Sequence, residues 1–151
     1  MQNGHANTVK LLLDAKADVN ATTDLGATSL ILASGNGHTD VVRILINADA
    51  KVNAIAKNGA TPLMYACQAG SVDVVKLLLD AKADANTVAS ASGATALLIA
   101  SQKGDADIVK MLLASGANVN VAARNGMTPL SQATASGHPD IVELLKAAGA
   151  K

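Results

Sequence analysis

The sequence has almost no aromatic residues. Tyr65 is the one aromatic side chain in 151 residues, although half of all residues are apolar. Because Phe, Tyr and Trp bury the largest areas, a conventional globular core without Phe or Trp is unusual. The composition therefore favours many thin layers packed by Leu, Val, Ile and Ala.

Other absences each exclude a class of protein. The single cysteine, Cys67, cannot form an internal disulfide, which indicates a reducing compartment or indifference to redox. No apolar run approaches the roughly 20 residues of a membrane-spanning helix, and Met1 to His5 lack the basic and apolar regions of a signal peptide. The net charge is zero, so no overall field favours nucleic acid. We therefore expect a cytoplasmic protein that binds neither nucleic acid nor membrane.

A glycine-led segment recurs along the chain at a nearly fixed interval. One copy reads Gly37-His38-Thr39-Asp40-Val41-Val42, and the copies begin at Gly4, Gly37, Gly70, Gly104 and Gly137. The steps between these glycines are 33, 33, 34 and 33 residues. A period of this length is typical of a stacked repeat array, in which each repeat is one supersecondary unit.

Each full repeat predicts a short helix followed by a longer one. A threonine such as Thr28 precedes each apolar short segment as its N-cap, and Pro62 and Pro129 take the first helical position after two of these threonines. Glycine-containing turns separate the two helices. We predict a leading helix over 5–15 and helix pairs over 29–34 with 39–48, 61–69 with 72–81, 95–103 with 106–115, and 128–136 with 139–148.

Residues 59–86, GATPLMYACQAGSVDVVKLLLDAKADAN, resemble the ankyrin repeat, and near-copies of them cover nearly the whole chain. The resemblance implies an all-α solenoid of helix-turn-helix units, stacked in a curve, with projecting β-hairpin loops. It implies binding of other macromolecules through the loop tips and the concave face of the short helices. It implies no shared catalytic centre, and we expect no enzyme activity, no cofactor and no metal.

The two ends of the array differ from its middle. We expect one domain, 1–151, with a leading half repeat 1–22, full repeats 23–55, 56–88 and 89–122, and a C-terminal capping repeat 123–151. The last repeat carries polar residues such as Gln132 and Lys146, as capping repeats do. The first copy lacks its short helix, which leaves Leu11 to Leu13 without an N-terminal layer. This face is a candidate for weak self-association.

The chain departs from the ankyrin pattern at informative positions. The glycine that ends the long helix is replaced by Lys16, Asp49 and Lys82. That position is normally left-handed, which costs a non-glycine residue roughly 1–2 kcal/mol. The histidine of the T-P-L-H pattern is absent from every copy, so its hydrogen bonds between repeats should be missing. One residue is inserted within 87–92, so one hairpin should differ in shape.

Positions that vary between repeats form the candidate binding surface, because by resemblance they lie at the loop tips and on the concave face. Lys57, Tyr65, Arg124 and Met127 are the best anchors, since Tyr, Met and Arg are enriched in interface cores. The alternative for any one position is tolerated surface variation. The predicted partner-binding residues are Asp24, Leu25, Asn36, Lys57, Asn58, Tyr65, Gln68, Gln102, Lys103, Arg124, Asn125 and Met127.

Residues with reactive or metal-binding side chains follow the repeat rather than a catalytic pattern. His5, His38 and His138 start long helices, so we expect them to lie roughly 10 Å apart along the stack. That is too far for one ion, whose Zn–N bonds measure about 2.0–2.1 Å. Cys67 occupies an alanine position of the pattern and is expected in the core, with no histidine placed to activate it.

The leading hypothesis is a non-catalytic module that binds a partner protein. One alternative is a structural or engineered ankyrin scaffold with no dedicated partner. Another is that the chain is itself a substrate, because by resemblance the asparagine of the V-N step is a position that can be hydroxylated. Asn20, Asn53, Asn86 and Asn120 hold that position.

Overall fold

A computed structural model describes the backbone of residues 3–151 and the side chains of residues 5–151. Met1 and Gln2, at the start of the predicted half repeat, lie outside the described residues. Residues 3–151 form nine helices joined by turns, with no sheet in this range. None of the helices in this part of the chain is long and apolar enough to cross a bilayer.

The helices form a leading element and four pairs, as the repeat predicts. The leading helix α1 spans Asn3–Asp14. The pairs are α2 (Ser29–Gly35) with α3 (Thr39–Asn47), α4 (Pro62–Ala69) with α5 (Val72–Asp80), α6 (Ala96–Lys103) with α7 (Ala106–Ala114), and α8 (Pro129–Ala135) with α9 (Pro139–Ala147). The ends lie within two residues of the predicted ranges. The all-α solenoid is therefore confirmed.

Threonine side chains fix the starts of the short helices. The Oγ1 atoms of Thr28, Thr61, Thr95 and Thr128 each accept a hydrogen bond from the backbone N–H three residues later, at 3.2–3.4 Å. The first three threonines are buried, so these N–H groups have little access to water. A side-chain cap of this kind is worth about 1 kcal/mol.

The repeats stack through like helices. Each short helix packs against the short helix of the next repeat, and each long helix packs against the next long helix. Small residues on the short helices allow this close approach, and Ala33, Ala66, Ala100 and Ala133 are all buried. The core is therefore a stripe along the stack. Its largest fully buried side chains include Leu30, Ile31, Leu45, Leu63, Leu78, Leu97, Ile108, Leu112, Ile141 and Leu145.

The loops are tight turns, and they form less β-structure than the hairpin expectation implies. In the second repeat the N–H of Ala56 donates to the carbonyl of Ala60 at 3.0 Å, and the first, third and fourth loops close with an equivalent bond. Within residues 3–151 a β-bridge forms at Thr22 and Thr28 alone. The loop segments are too short to form strands, because in each loop a glycine turn comes within a few residues of the residue that donates the closing hydrogen bond.

Adjacent loop tips are linked to one another by backbone hydrogen bonds. The N–H of Lys57 donates to the carbonyl of Leu25 at 3.0 Å, and the N–H of Arg124 donates to the carbonyl of Ser92 at 3.0 Å. In the third loop the inserted residue moves the donor on by one position, so Ala91 donates to Asn58 at 3.1 Å. The insertion therefore changes the local turn but preserves the ladder between repeats.

Asparagines provide a second ladder between repeats. The Oδ1 atoms of the four V-N-step asparagines each accept from a backbone N–H about one repeat later, at 2.8–3.0 Å. The amide of Asn86 also donates to the carbonyl of Gly116 at 3.0 Å. These bonds provide polar contacts between repeats in a chain that lacks the histidine of the T-P-L-H pattern. The bonded asparagines are Asn20, Asn53, Asn86 and Asn120.

Three long helices end in left-handed residues that are not glycine. The φ angles of Lys16, Asp49 and Lys82 are 66°, 62° and 66°. Gly116 and Gly149 take the same position in the other repeats with φ of 82° and 91°. The predicted conformation is thus confirmed at all three substituted positions. Each of them carries the steric cost of a Cβ atom in the left-handed region.

Replacing Lys82 with glycine is expected to raise the free energy of unfolding by about 1 kcal/mol. Relief of the left-handed Cβ contributes roughly 1–2 kcal/mol, and the greater freedom of glycine in the unfolded chain offsets part of it. Urea unfolding followed by far-ultraviolet circular dichroism measures the change. Lys82→Ala is the control, since it removes the charge but keeps the Cβ, and it should give no comparable gain. Equal gains from both variants would assign the effect to the lysine side chain.

Within the described residues the outer side of α1 is exposed, as expected. Leu11 and Leu12 on α1 are exposed, and no short helix precedes α1 within the described residues. At the other end Ser131 and Lys146 are exposed on α8 and α9, which is consistent with a polar cap. Self-association through the exposed side of α1 stays a prediction.

Candidate partner-binding groove

A groove lies between the first two loop tips and the short helices α2 and α4. It encloses about 610 Å³. This is within the range of roughly 300–1,000 Å³ that is usual for ligand pockets. Its lining residues are Leu25, Ala27, Ile31, Leu32, Gly35, Asn36, Ala56, Lys57, Asn58 and Tyr65.

The groove presents large apolar side chains to solvent. Leu25, at the first loop tip, is 74% exposed, and Leu32, on α2, is 50% exposed. Tyr65 on α4 is half-buried. A Cβ atom at Gly35 would lie 3.4 Å from the Tyr65 ring, so the ring lies close against α2. The loop tips and the two short helices thus create an apolar surface that no other part of the described chain covers.

Hydrogen bonds hold the polar side chains of the groove in place. The amide of Asn58 donates to the Tyr65 hydroxyl at 3.3 Å, while its Oδ1 accepts from the backbone N–H of Ala60 at 3.0 Å. Asn36 donates to the carbonyl of Leu32 at 2.8 Å. Because Asn58 is the donor to Tyr65, the tyrosine O–H can still donate to a ligand.

The structure brings together five of the predicted binding residues. Leu25, Asn36, Lys57, Asn58 and Tyr65 all line the groove. The other predicted residues, which do not line it, are Asp24, Gln68, Gln102, Lys103, Arg124, Asn125 and Met127.

Several of the residues outside the groove are engaged with their own chain. The Arg124 guanidinium donates from Nη2 to the carbonyl of Ser90 at 2.6 Å, so it braces the neighbouring loop. Asn125 accepts from the N–H of Met127 at 3.1 Å within the last loop. These contacts favour a structural role for Arg124 and Asn125.

Sequence reasoning missed Leu32, which lines the groove. Leu32 stands four residues after Thr28, as Tyr65 stands four residues after Thr61. The same repeat position is occupied by Ile99 and Gln132 in the later repeats. Comparison of equivalent positions would have identified Leu32, because the position that it shares with Tyr65 varies between repeats.

The histidines and the cysteine are not grouped as a catalytic or metal-binding site within the described residues. The rings of His5 and His38 are 6.0 Å apart, closer than the spacing of about 10 Å expected between helices. Nε2 of His138 lies 3.2 Å from the carbonyl of Gln102 and thereby joins two repeats. Within residues 5–151 no three His, Cys, Asp or Glu side chains are grouped as metal ligands.

Cys67 lies in the core, as predicted. Burial, with a smaller contribution from the negative charge of Asp105, raises the pKa of its thiol to about 12. The thiol is therefore protonated near neutral pH, and the thiolate is the form that reacts as a nucleophile.

Comparison with known proteins gives one family. A family model described as ankyrin repeats matches the chain in three copies, over residues 1–89 and 82–151. The comparison with curated proteins gave no match.

Proposed function

Because the chain belongs to the ankyrin-repeat family, whose members are generally protein–protein interaction modules, we propose that it binds a partner protein through the groove between α2, α4 and the first two loop tips. The observation that carries the proposal is the exposure of Leu25 and Leu32 beside Tyr65 in one concavity. Exposed apolar surface rimmed by polar side chains is characteristic of interaction sites.

The proposal assigns no catalysis to the chain. The family is typically non-catalytic, and the reactive side chains discussed above are explained by packing and by contacts between repeats. We also propose a cytoplasmic location, because a reducing compartment suits a protein whose single cysteine has no partner.

The groove can be tested with two double variants that remove equal numbers of exposed aliphatic side chains. Leu25→Ala with Leu32→Ala alters the groove, whereas Ile55→Ala with Val88→Ala alters exposed residues outside it. The few interface residues that cost more than about 1 kcal/mol on truncation cluster near the centre of an interface, where we propose that Leu25 and Leu32 lie. We therefore expect a partner captured from lysate by the parent chain to bind the groove variant at least about tenfold more weakly.

The control variant should capture the partner as the parent chain does, and both variants should keep the parent helicity. Equal losses in the two variants would contradict the groove assignment. If the parent chain captures no protein above background, the alternative of a structural scaffold without a dedicated partner is favoured.

A further inference from the structure

We propose that the groove receives a peptide segment in which a large apolar side chain is flanked by a carboxylate. This inference rests on the proposed function, because it specifies the chemistry of the partner at the same site. Its evidence is the distribution of charge over the stack, the position of Lys57 and the hydrogen-bonding capacity of Tyr65.

Acidic side chains are distributed unevenly over the stack, although the chain as a whole is neutral. The short helices carry no Asp or Glu, and their one charged residue is Lys103. The loop tips add Lys57 and Arg124 against one carboxylate, Asp24. The other eleven acidic residues lie on the long helices or in the turns beside them. The short helices and loop tips therefore carry three basic residues and one acidic residue, Asp24, and this net positive charge is complementary to an acidic partner.

Lys57 is the single charged residue that lines the groove. Its backbone is held by the bond to Leu25, and its side chain passes beside Gly26, where a Cβ atom would lie 3.5 Å from the Lys57 Cγ. Among residues 5–151 the ion pair within 4.0 Å is Lys110 with Asp107, so Lys57 has no intramolecular carboxylate partner there. Its ammonium group is exposed and available to an external anion.

The remaining groove features fit an apolar anchor next to that anion. Leu25 and Leu32 provide exposed apolar contacts, and the volume of about 610 Å³ admits a large side chain with the adjoining peptide backbone. Tyr65 offers an O–H donor in the same cavity. A carboxylate, which accepts hydrogen bonds but cannot donate them, is suited to Lys57 and Tyr65 together. A basic segment would instead meet Lys57 with like charge.

The test is selection from a displayed library of random linear peptides on the intact chain. We expect enriched sequences that place Asp or Glu within a few residues of Leu, Ile, Met, Phe or Trp. A synthetic fluorescent peptide of the enriched sequence then gives affinities by anisotropy. Lys57→Ala should weaken binding about tenfold, as expected for loss of a charged hydrogen-bonding group, and added salt should weaken binding to the parent chain.

A charge exchange makes the assignment specific. The Lys57→Glu variant should not bind the acidic peptide. It should bind a second peptide in which lysine replaces the acidic residue. Lys76→Ala is the matched control, because it removes an exposed lysine from the same repeat, on α5 and outside the groove. It should change the affinity less than about twofold, as is usual for a distant exposed charge.

Each other outcome overturns the inference. The enriched peptides could lack a preference for acidic residues, with an affinity that falls on Leu32→Ala but not on Lys57→Ala. That result would support the groove as a protein-binding site but would contradict recognition of a carboxylate. No enriched peptide, with lysate capture still dependent on Leu25 and Leu32, would show that a folded surface binds there. Displacement of the peptide by excess unlabelled chain, with dimerisation, would identify a second copy as the occupant.

Discussion

Replacing Leu97 with alanine is expected to lower the free energy of unfolding by about 3–5 kcal/mol. Leu97 lies on α6 in the third repeat and is 0% exposed. Its helix packs between α4 and α8, so a cavity at this position weakens the contacts on both sides of the layer. Chemical unfolding followed by far-ultraviolet circular dichroism gives the change directly.

Leu130 provides the matched control, because it holds the same repeat position as Leu97 in the last repeat. Leu130 is only partly buried, and within residues 3–151 no further short helix follows α8. Leu130→Ala should therefore cost about 1–2 kcal/mol, since less apolar surface is removed from water there. Equal costs at the two positions would contradict a stack whose stability depends on contacts with both neighbours.

Replacing Gly59 with alanine is expected to cost about 2–5 kcal/mol. Gly59 has φ of 83°, where a Cβ atom costs roughly 1–2 kcal/mol. A Cβ atom there would also overlap the backbone nitrogen of Ser90 and lie 2.6 Å from its Oγ. Because that nitrogen belongs to the main chain of the next loop, relief requires the two loops to separate. Overpacking of this kind typically adds about 1–3 kcal/mol.

The four loop glycines form a graded series for this test. Gly126 has φ of 80°, but a Cβ atom there would meet nothing within 4 Å, so Gly126→Ala should show the backbone strain alone. Gly26 is intermediate, with the Lys57 backbone nitrogen 3.2 Å from the Cβ position. At Gly93 the Arg124 nitrogen would be 2.7 Å away. In urea unfolding, the loss of free energy caused by alanine should increase in the order Gly126, Gly26, Gly93 and Gly59. A uniform cost would show that contacts between loops contribute little.

The helices could be predicted from the sequence because their determinants lie within one repeat. Threonine caps, apolar spacing and the period define α2 to α9, and the helix end at Lys82 implied a left-handed residue. The β-hairpin expectation was less accurate, because pairing in the loops depends on main-chain geometry that composition does not specify. The distance between His5 and His38 also depends on side-chain directions rather than on the spacing of the helices.

The groove was only partly predictable, because it is formed by two repeats together. Variation between repeats identified Leu25, Lys57 and Tyr65 individually. It could not show that they share one cavity, or that Leu32 completes it. Arg124 was predicted as an anchor from its residue type, and the sequence alone does not show that its guanidinium donates to the carbonyl of Ser90. Its role as an anchor stays a prediction. Whether an exposed polar group is already satisfied by its own chain depends on three-dimensional contacts.

The contacts between neighbouring layers also determine how the chain would respond to mechanical tension. Helices pack within one repeat or against the adjacent repeat, so a pull on the two ends is transmitted through each layer in series. We therefore expect the layers to detach one at a time under tension, each held until then by the loop and asparagine hydrogen bonds between repeats. Each layer that detaches would release a chain segment of about 110–120 Å, and it would leave the remaining layers able to bear the tension.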